Sequence, residues 1–68
     1  MSSKINHKKL GERIRALRTV KRMSQSMLAK KSGVHYNTIY NIEKGEAPNL
    51  KTLSKICVAL QTRPEAML

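Results

Sequence analysis

Aliphatic side chains recur every three or four positions along most of this 68-residue chain. Leu10, Ile14 and Leu17 do so near the start, Ile39 and Ile42 in the middle, and Leu50, Leu53, Ile56, Cys57 and Leu60 toward the end. A helix turns once in about 3.6 residues, so that spacing puts each set on one helical face. A half-buried strand would alternate apolar and polar residues, and no alternating run is present. The chain has two Tyr and no Phe or Trp, so the stripes must pack on one another as an aliphatic core. An all-α fold in a single domain is predicted. A domain this small buries only about 60% of the surface its unfolded chain exposes, which favours a partner subunit.

Punctuation between the stripes divides the chain. Residues 1–6 lack the pattern and read as a mobile N-terminal arm, leaving 7–68 as the domain. A first helix is predicted from His7, fading near Lys21 to Met23. Ser24 suits an N-cap, because its hydroxyl can accept from first-turn backbone N–H groups. The second helix then runs from Gln25 to about Ser32, and Gly33 suits the left-handed residue that stops it. The third begins near Tyr36 and ends before Gly45. Residues 46–49 form a loop, and Asn49 caps the fourth helix. Arg63-Pro64 ends that helix, with Pro64 in the first turn of a short fifth.

Fourteen Lys and Arg stand against four Glu and no Asp, a formal net charge of +10. On so short a chain this implies a polyanionic partner, nucleic acid ahead of a membrane surface, or else a merely soluble basic protein. The single Cys57 cannot form an internal disulfide, and it falls on an apolar stripe as filler. No apolar run approaches the ~18 residues of a membrane span, and no signal-peptide pattern follows the basic start. A cytoplasmic location is the expectation. His7 and His35 are far apart and no Cys-x-x-Cys occurs, so neither a metal nor a cofactor is expected. No paired carboxylates, Ser-His-Asp set or phosphate loop is present, so the chain is not expected to be an enzyme.

The stretch GVHYNTIYNIEKG, residues 33–45, holds both tyrosines. With Tyr36 set at zero, Ile39 and Ile42 project near 300° and 240° at about 100° per residue. Tyr40, Lys44, Asn37 and Asn41 fall between about 40° and 140°, on the opposite face. Tyr36 sits between that face and the edge of the core. Asn can bond bidentately to the N6 and N7 edge of adenine, and a Tyr ring can meet thymine methyl groups. No acidic residue interrupts this face. It is either a reading surface or a solvated polar face.

Residues 24–60, SQSMLAKKSGVHYNTIYNIEKGEAPNLKTLSKICVAL, resemble the helix-turn-helix of phage repressors and Cro proteins, the XRE-like family. The likeness is carried by Gln25, Leu28-Ala29, Gly33-Val34, Thr38-Ile39, Ile42-Glu43, Gly45, Leu50, Thr52-Leu53, Ile56 and Ala59-Leu60. The resemblance implies a compact five-helix, lambda-repressor-like domain whose third helix enters the major groove of double-stranded DNA. By the same resemblance, Tyr36, Asn37 and Asn41 match base-contacting positions, with Tyr40 the next exposed one. Gln25 matches a backbone-phosphate ligand, and His35 the residue that caps the third helix; His35 and Lys44 are the other candidate phosphate contacts. Arg18 and Glu43 match an ion pair tying the first helix to the third. This sequence departs from the pattern at Arg22, where many relatives have Gly, at His35, where Ser or Thr is usual, and in a shorter loop after Gly45.

The expectation is a sequence-specific transcriptional regulator of the repressor type, acting as a homodimer on a two-fold operator. Met67 and Leu68 are the candidate dimer surface. Two rival readings remain at this point: an antitoxin-like module that grips a protein partner as well as DNA, and a non-specific nucleic-acid-binding basic bundle. No small-molecule ligand is expected.

Overall fold

The computed structural model describes residues 6–67. Five helices follow in order: α1 His7–Val20, α2 Gln25–Ser32, α3 Tyr36–Glu43, α4 Leu50–Ala59 and α5 Pro64–Met67. Among the described residues there is no strand. The all-α expectation therefore holds, and so do the helix boundaries.

Side-chain caps explain where the helices start. Asn6, Ser24 and Asn49 each accept from a backbone N–H three residues on, at 3.1, 3.0 and 2.8 Å. These bonds satisfy donors that the first helical turn leaves unpaired. Asn6 had been assigned to the arm, yet it is the cap of α1. The remainder of that arm, residues 1–5, lies outside the described residues.

Left-handed residues explain where four of the helices stop, α2 at Gly33 and the other three at a shared kind of end. Arg22, Gly45 and Gln61 have φ of 58°, 116° and 57°. The residue after each donates its N–H back to Arg18, Asn41 and Cys57 at 2.9, 3.0 and 2.9 Å. This six-to-one bond closes a Schellman end. Only one of the three positions is a glycine. An L residue in the left-handed region costs roughly 1–2 kcal/mol, and glycine returns part of that gain through its larger unfolded entropy. Arg22→Gly should accordingly raise stability by about 0.5–1 kcal/mol, seen as a melting point a few degrees higher. An unchanged or lower melting point would mean that the Arg22 side chain makes a compensating contact.

The core is formed by Leu10 and Ile14 of α1, Leu28 of α2, Val34, Ile39 and Ile42 around α3, Leu53, Ile56, Cys57, Ala59 and Leu60 around α4, and Met67 of α5. It contains no aromatic residue. α3 packs against both α1 and α2, α2 also packs on α4, and α5 closes on α1 and α4. α1 meets α3 at Gly11, which is buried. A Cβ there would fall 3.0 Å from Glu43 Cα and closer still to the carbonyl oxygen of Ile42. Glycine is thus what allows the two backbones to approach.

Two side chains depart from the sequence reading. Leu50 was expected on the inner stripe of α4, yet it is 73% exposed. Its angle is suitable, but it is the first residue of the helix, where no neighbouring element covers it. Met67 was expected on a dimer surface, yet it is 2% exposed. α5 folds back so that Met67 enters the core, and Arg13 Nη1 donates to its carbonyl at 2.9 Å. Its companion in that expectation, Leu68, lies outside the described residues. Cys57 is a free, buried thiol, and burial with the nearby Glu65 charge pushes its pKa above the ordinary thiol value. That environment suits packing and suppresses the reactive thiolate.

Candidate nucleic-acid interface

The orientation of α3 follows from its two isoleucines. Ile39 and Ile42 are fully enclosed by α1 and α2. A helix buried along that line must present the opposite side outward. Tyr36 and Tyr40 are accordingly 42% and 43% exposed. Asn37 is exposed and Asn41 half-buried. Among the described residues, neither carboxamide side chain is hydrogen-bonded to another protein group. Both amides keep their donors and acceptors for an external partner.

The phenol rings are ordered by each other. Tyr36 and Tyr40 stack at 6.4 Å between centroids with 22° between planes. The Lys44 ammonium lies 5.1 Å from the centre of the Tyr40 ring, within cation–π range. The three side chains share the i, i+4, i+8 line of one helix face. The wall they form costs less entropy to immobilise on binding than three free side chains would.

His35 begins α3, and its Nδ1 accepts from Asn37 N at 3.1 Å. For Nδ1 to accept this bond, the ring hydrogen must sit on Nε2. The imidazole thus acts as the cap, the role the family resemblance implied, and its exposed Nε2–H remains available as a donor.

Glu43, at the far end of α3, is the anchor between helices. Arg18 grips it twice, Nε to Oε2 at 2.7 Å and Nη2 to Oε1 at 3.0 Å. Gln25 Nε2 donates to the same Oε1 at 3.0 Å. The Arg18 and Glu43 side chains are 13% and 4% exposed. The hydrogen bond to Glu43 raises the Arg18 pKa above its already alkaline value, against the opposing effect of burial. One carboxylate therefore joins α1, the start of α2 and the end of α3. Arg18 Nη1 adds a bond of 2.8 Å to the Met23 carbonyl, steadying the turn before α2.

This anchor floors an open cleft of about 540 Å³ lined by Arg15, Arg18, Ser24, Gln25, Tyr40, Glu43 and Lys44. Arg18 offsets the charge of the carboxylate, so the cleft's outward charge comes from Arg15 and Lys44. The fold brings together Gln25, Tyr40 and Lys44, which the sequence had offered separately. His35 is not part of this cleft. Arg15 was not among the candidate residues. Its signal was available, since it stands one helical turn before Arg18 on α1.

The sequence pattern of the HTH_3 helix-turn-helix family matches residues 14–67. The chain belongs to that family. Solved structures agree. The restriction-modification controller protein C.AhdI from Aeromonas hydrophila is 33% identical with a TM-score of 0.87, over 91% of this chain and 96% of that one. The P22 c2 repressor in complex with a synthetic operator is 38% identical with a TM-score of 0.80, over 87% and 91%. SinR, a master regulator of biofilm formation solved in complex with DNA, is 30% identical with a TM-score of 0.81, over 85% and 95%. None of the curated proteins matches the sequence of this chain. The helix-turn-helix itself is α2, the turn at Gly33 and α3. Gly33 has φ of 75°, and its N–H returns to the Ala29 carbonyl at 2.9 Å, which sets the angle between the two helices. The family is one of DNA-binding transcriptional regulators, not of enzymes. Among the described residues, no helix is long and apolar enough to cross a membrane, and no acid, His or Cys cluster could hold a metal ion.

Proposed function

We propose that this chain is a sequence-specific double-stranded DNA-binding transcriptional regulator, with α3 in the major groove. The observation that carries the reading is the outward face of α3, where the Asn37 and Asn41 carboxamides have no protein partner among the described residues and Tyr36 and Tyr40 stack on each other beside them, more than two-fifths exposed. Asn37 and Asn41 read base edges, and the tyrosines contact bases beside them. Gln25 and Lys44 hold backbone phosphates with Arg15, while His35 offers its Nε2–H to another. The net charge of +10 supplies the long-range attraction and a strong dependence on salt.

A single module of this size buries little DNA surface, so useful affinity calls for a homodimer on a two-fold operator with half-sites about one turn apart. With Met67 enclosed in the core, the partner surface would not include its side chain. The regulator would act where the chromosome is, in the cytoplasm.

Asn37→Ala provides the test. It should cost roughly 1–3 kcal/mol on the preferred site and relax preference at one base position. Binding to random duplex should hardly change. Equal losses on specific and random DNA, measured by competition titration, would remove Asn37 from base reading. A protein that random DNA displaces as readily as its best site would be a non-specific coating protein instead.

A further inference from the structure

We infer that α3 selects a half-site of A·T pairs, with the Tyr36–Tyr40 wall receiving thymine 5-methyl groups beside adenines held by Asn37 and Asn41. The inference deepens the reading proposed above and rests on it. It comes from the chemistry present on α3 and from the chemistry that the fold has taken away.

In the major groove, guanine is read by Arg or Lys, which bond to O6 and N7, and cytosine by Asp or Glu, which accept from N4. α3, Tyr36–Glu43, contains neither Arg nor Lys. Its one acid is Glu43, whose two oxygens already accept three hydrogen bonds from Arg18 and Gln25 at 4% exposure. The nearest cation along the same face is Lys44, at the end away from the helix start, with its ammonium over the Tyr40 ring. On the outward face of α3 itself, the side chains left for base edges are two carboxamides and two phenols.

Those groups suit A·T pairs. A carboxamide both donates and accepts, which matches the N7 acceptor and N6 donor of adenine. Guanine offers two acceptors there, so one end of the amide would face an unsatisfied group. The partner base of adenine carries a methyl group, which cytosine lacks. Tyr36 and Tyr40 stack at 6.4 Å and are each more than two-fifths exposed, so their joint surface is apolar, broad and fixed before DNA arrives. A methyl group seated on it leaves water without requiring any side chain to be newly ordered.

The test starts with selection of binders to the full chain from a random duplex library. Repeating it with Asn37→Ala and Asn41→Ala marks the positions read by α3 as those whose preference weakens. These should be A·T pairs. Deoxyuridine in place of thymine at those positions removes only the methyl group, and should lower affinity by about fourfold for each methyl that meets the wall. The Tyr36→Ser/Tyr40→Ser double variant, checked for a normal melt, should bind the thymine and uracil duplexes alike. G·C pairs at the marked positions would overturn the inference, and so would a uracil duplex bound as tightly as its thymine parent. Either result leaves sequence-specific binding intact. No enriched sequence at all would instead remove the proposed function, and this inference with it.

Discussion

Gly11→Ala should cost this domain a large share of its stability. The added Cβ would meet the backbone at Ile42 and Glu43, which cannot swing aside as a flexible side chain could. Relief requires α1 and α3 to separate, and that loosens Ile14, Ile39 and Ile42 together. Overpacking a core typically costs about 1–3 kcal/mol, and a backbone clash belongs at or beyond the upper end. A domain of this length is stable by only about 3–10 kcal/mol. The melting point should fall by more than about 10 °C. Gly33→Ala is the comparison, because a Cβ there meets nothing within 4 Å and only the positive φ is strained. Its loss should be about 1–2 kcal/mol. If Gly11→Ala proves no worse than Gly33→Ala, the close approach of α1 and α3 is not as described.

Glu43→Ala is expected to have the second large effect, about 3–5 kcal/mol. It strands the Arg18 guanidinium at 13% exposure and frees Gln25 at the start of α2. An exposed pair would lose below about 1 kcal/mol, because water already solvates both ends. The geometry here is different, with two parallel bonds and a third donor on one enclosed carboxylate. Replacing both partners by apolar residues, as in Arg18→Met with Glu43→Leu, should recover most of the loss. Chemical denaturation of the two singles and the double closes the cycle. A single-variant loss under about 1 kcal/mol would place the pair in solvent. The sign of the pH effect is also set. A raised Arg18 pKa gives stability that is present throughout the neutral range and is lost as pH rises to the alkaline extreme.

Both effects pass through contacts that residue spacing alone does not display. Gly11 carries no mark in the chain that distinguishes it from a tolerated helix glycine. Its importance lies in where Ile42 and Glu43 come to rest, more than thirty positions away. The Arg18–Glu43 pair was suggested by family resemblance, whereas its third donor, Gln25, was not. Gln25 had been assigned to phosphate, and in the fold one of its amide hydrogens is already given to Glu43. Arg15 passed as one cation among many until the cleft gathered it beside Lys44.

The sequence alone determined the helices, their ends and the outward face of α3. Those signals act within a turn or two of the chain: a cap bonds three residues on, and a stripe repeats every three or four. Ser24, Asn49, Gly33, Ile39 and Ile42 could therefore be read in place. Tertiary structure decided which stripe positions were truly covered, sending Met67 inward and leaving Leu50 in water. It also fixed how near α1 and α3 could lie and which carboxylate would be shared. Those outcomes depend on which surfaces dock, and burial is a property of the neighbour that arrives, not of the residue that waits for it.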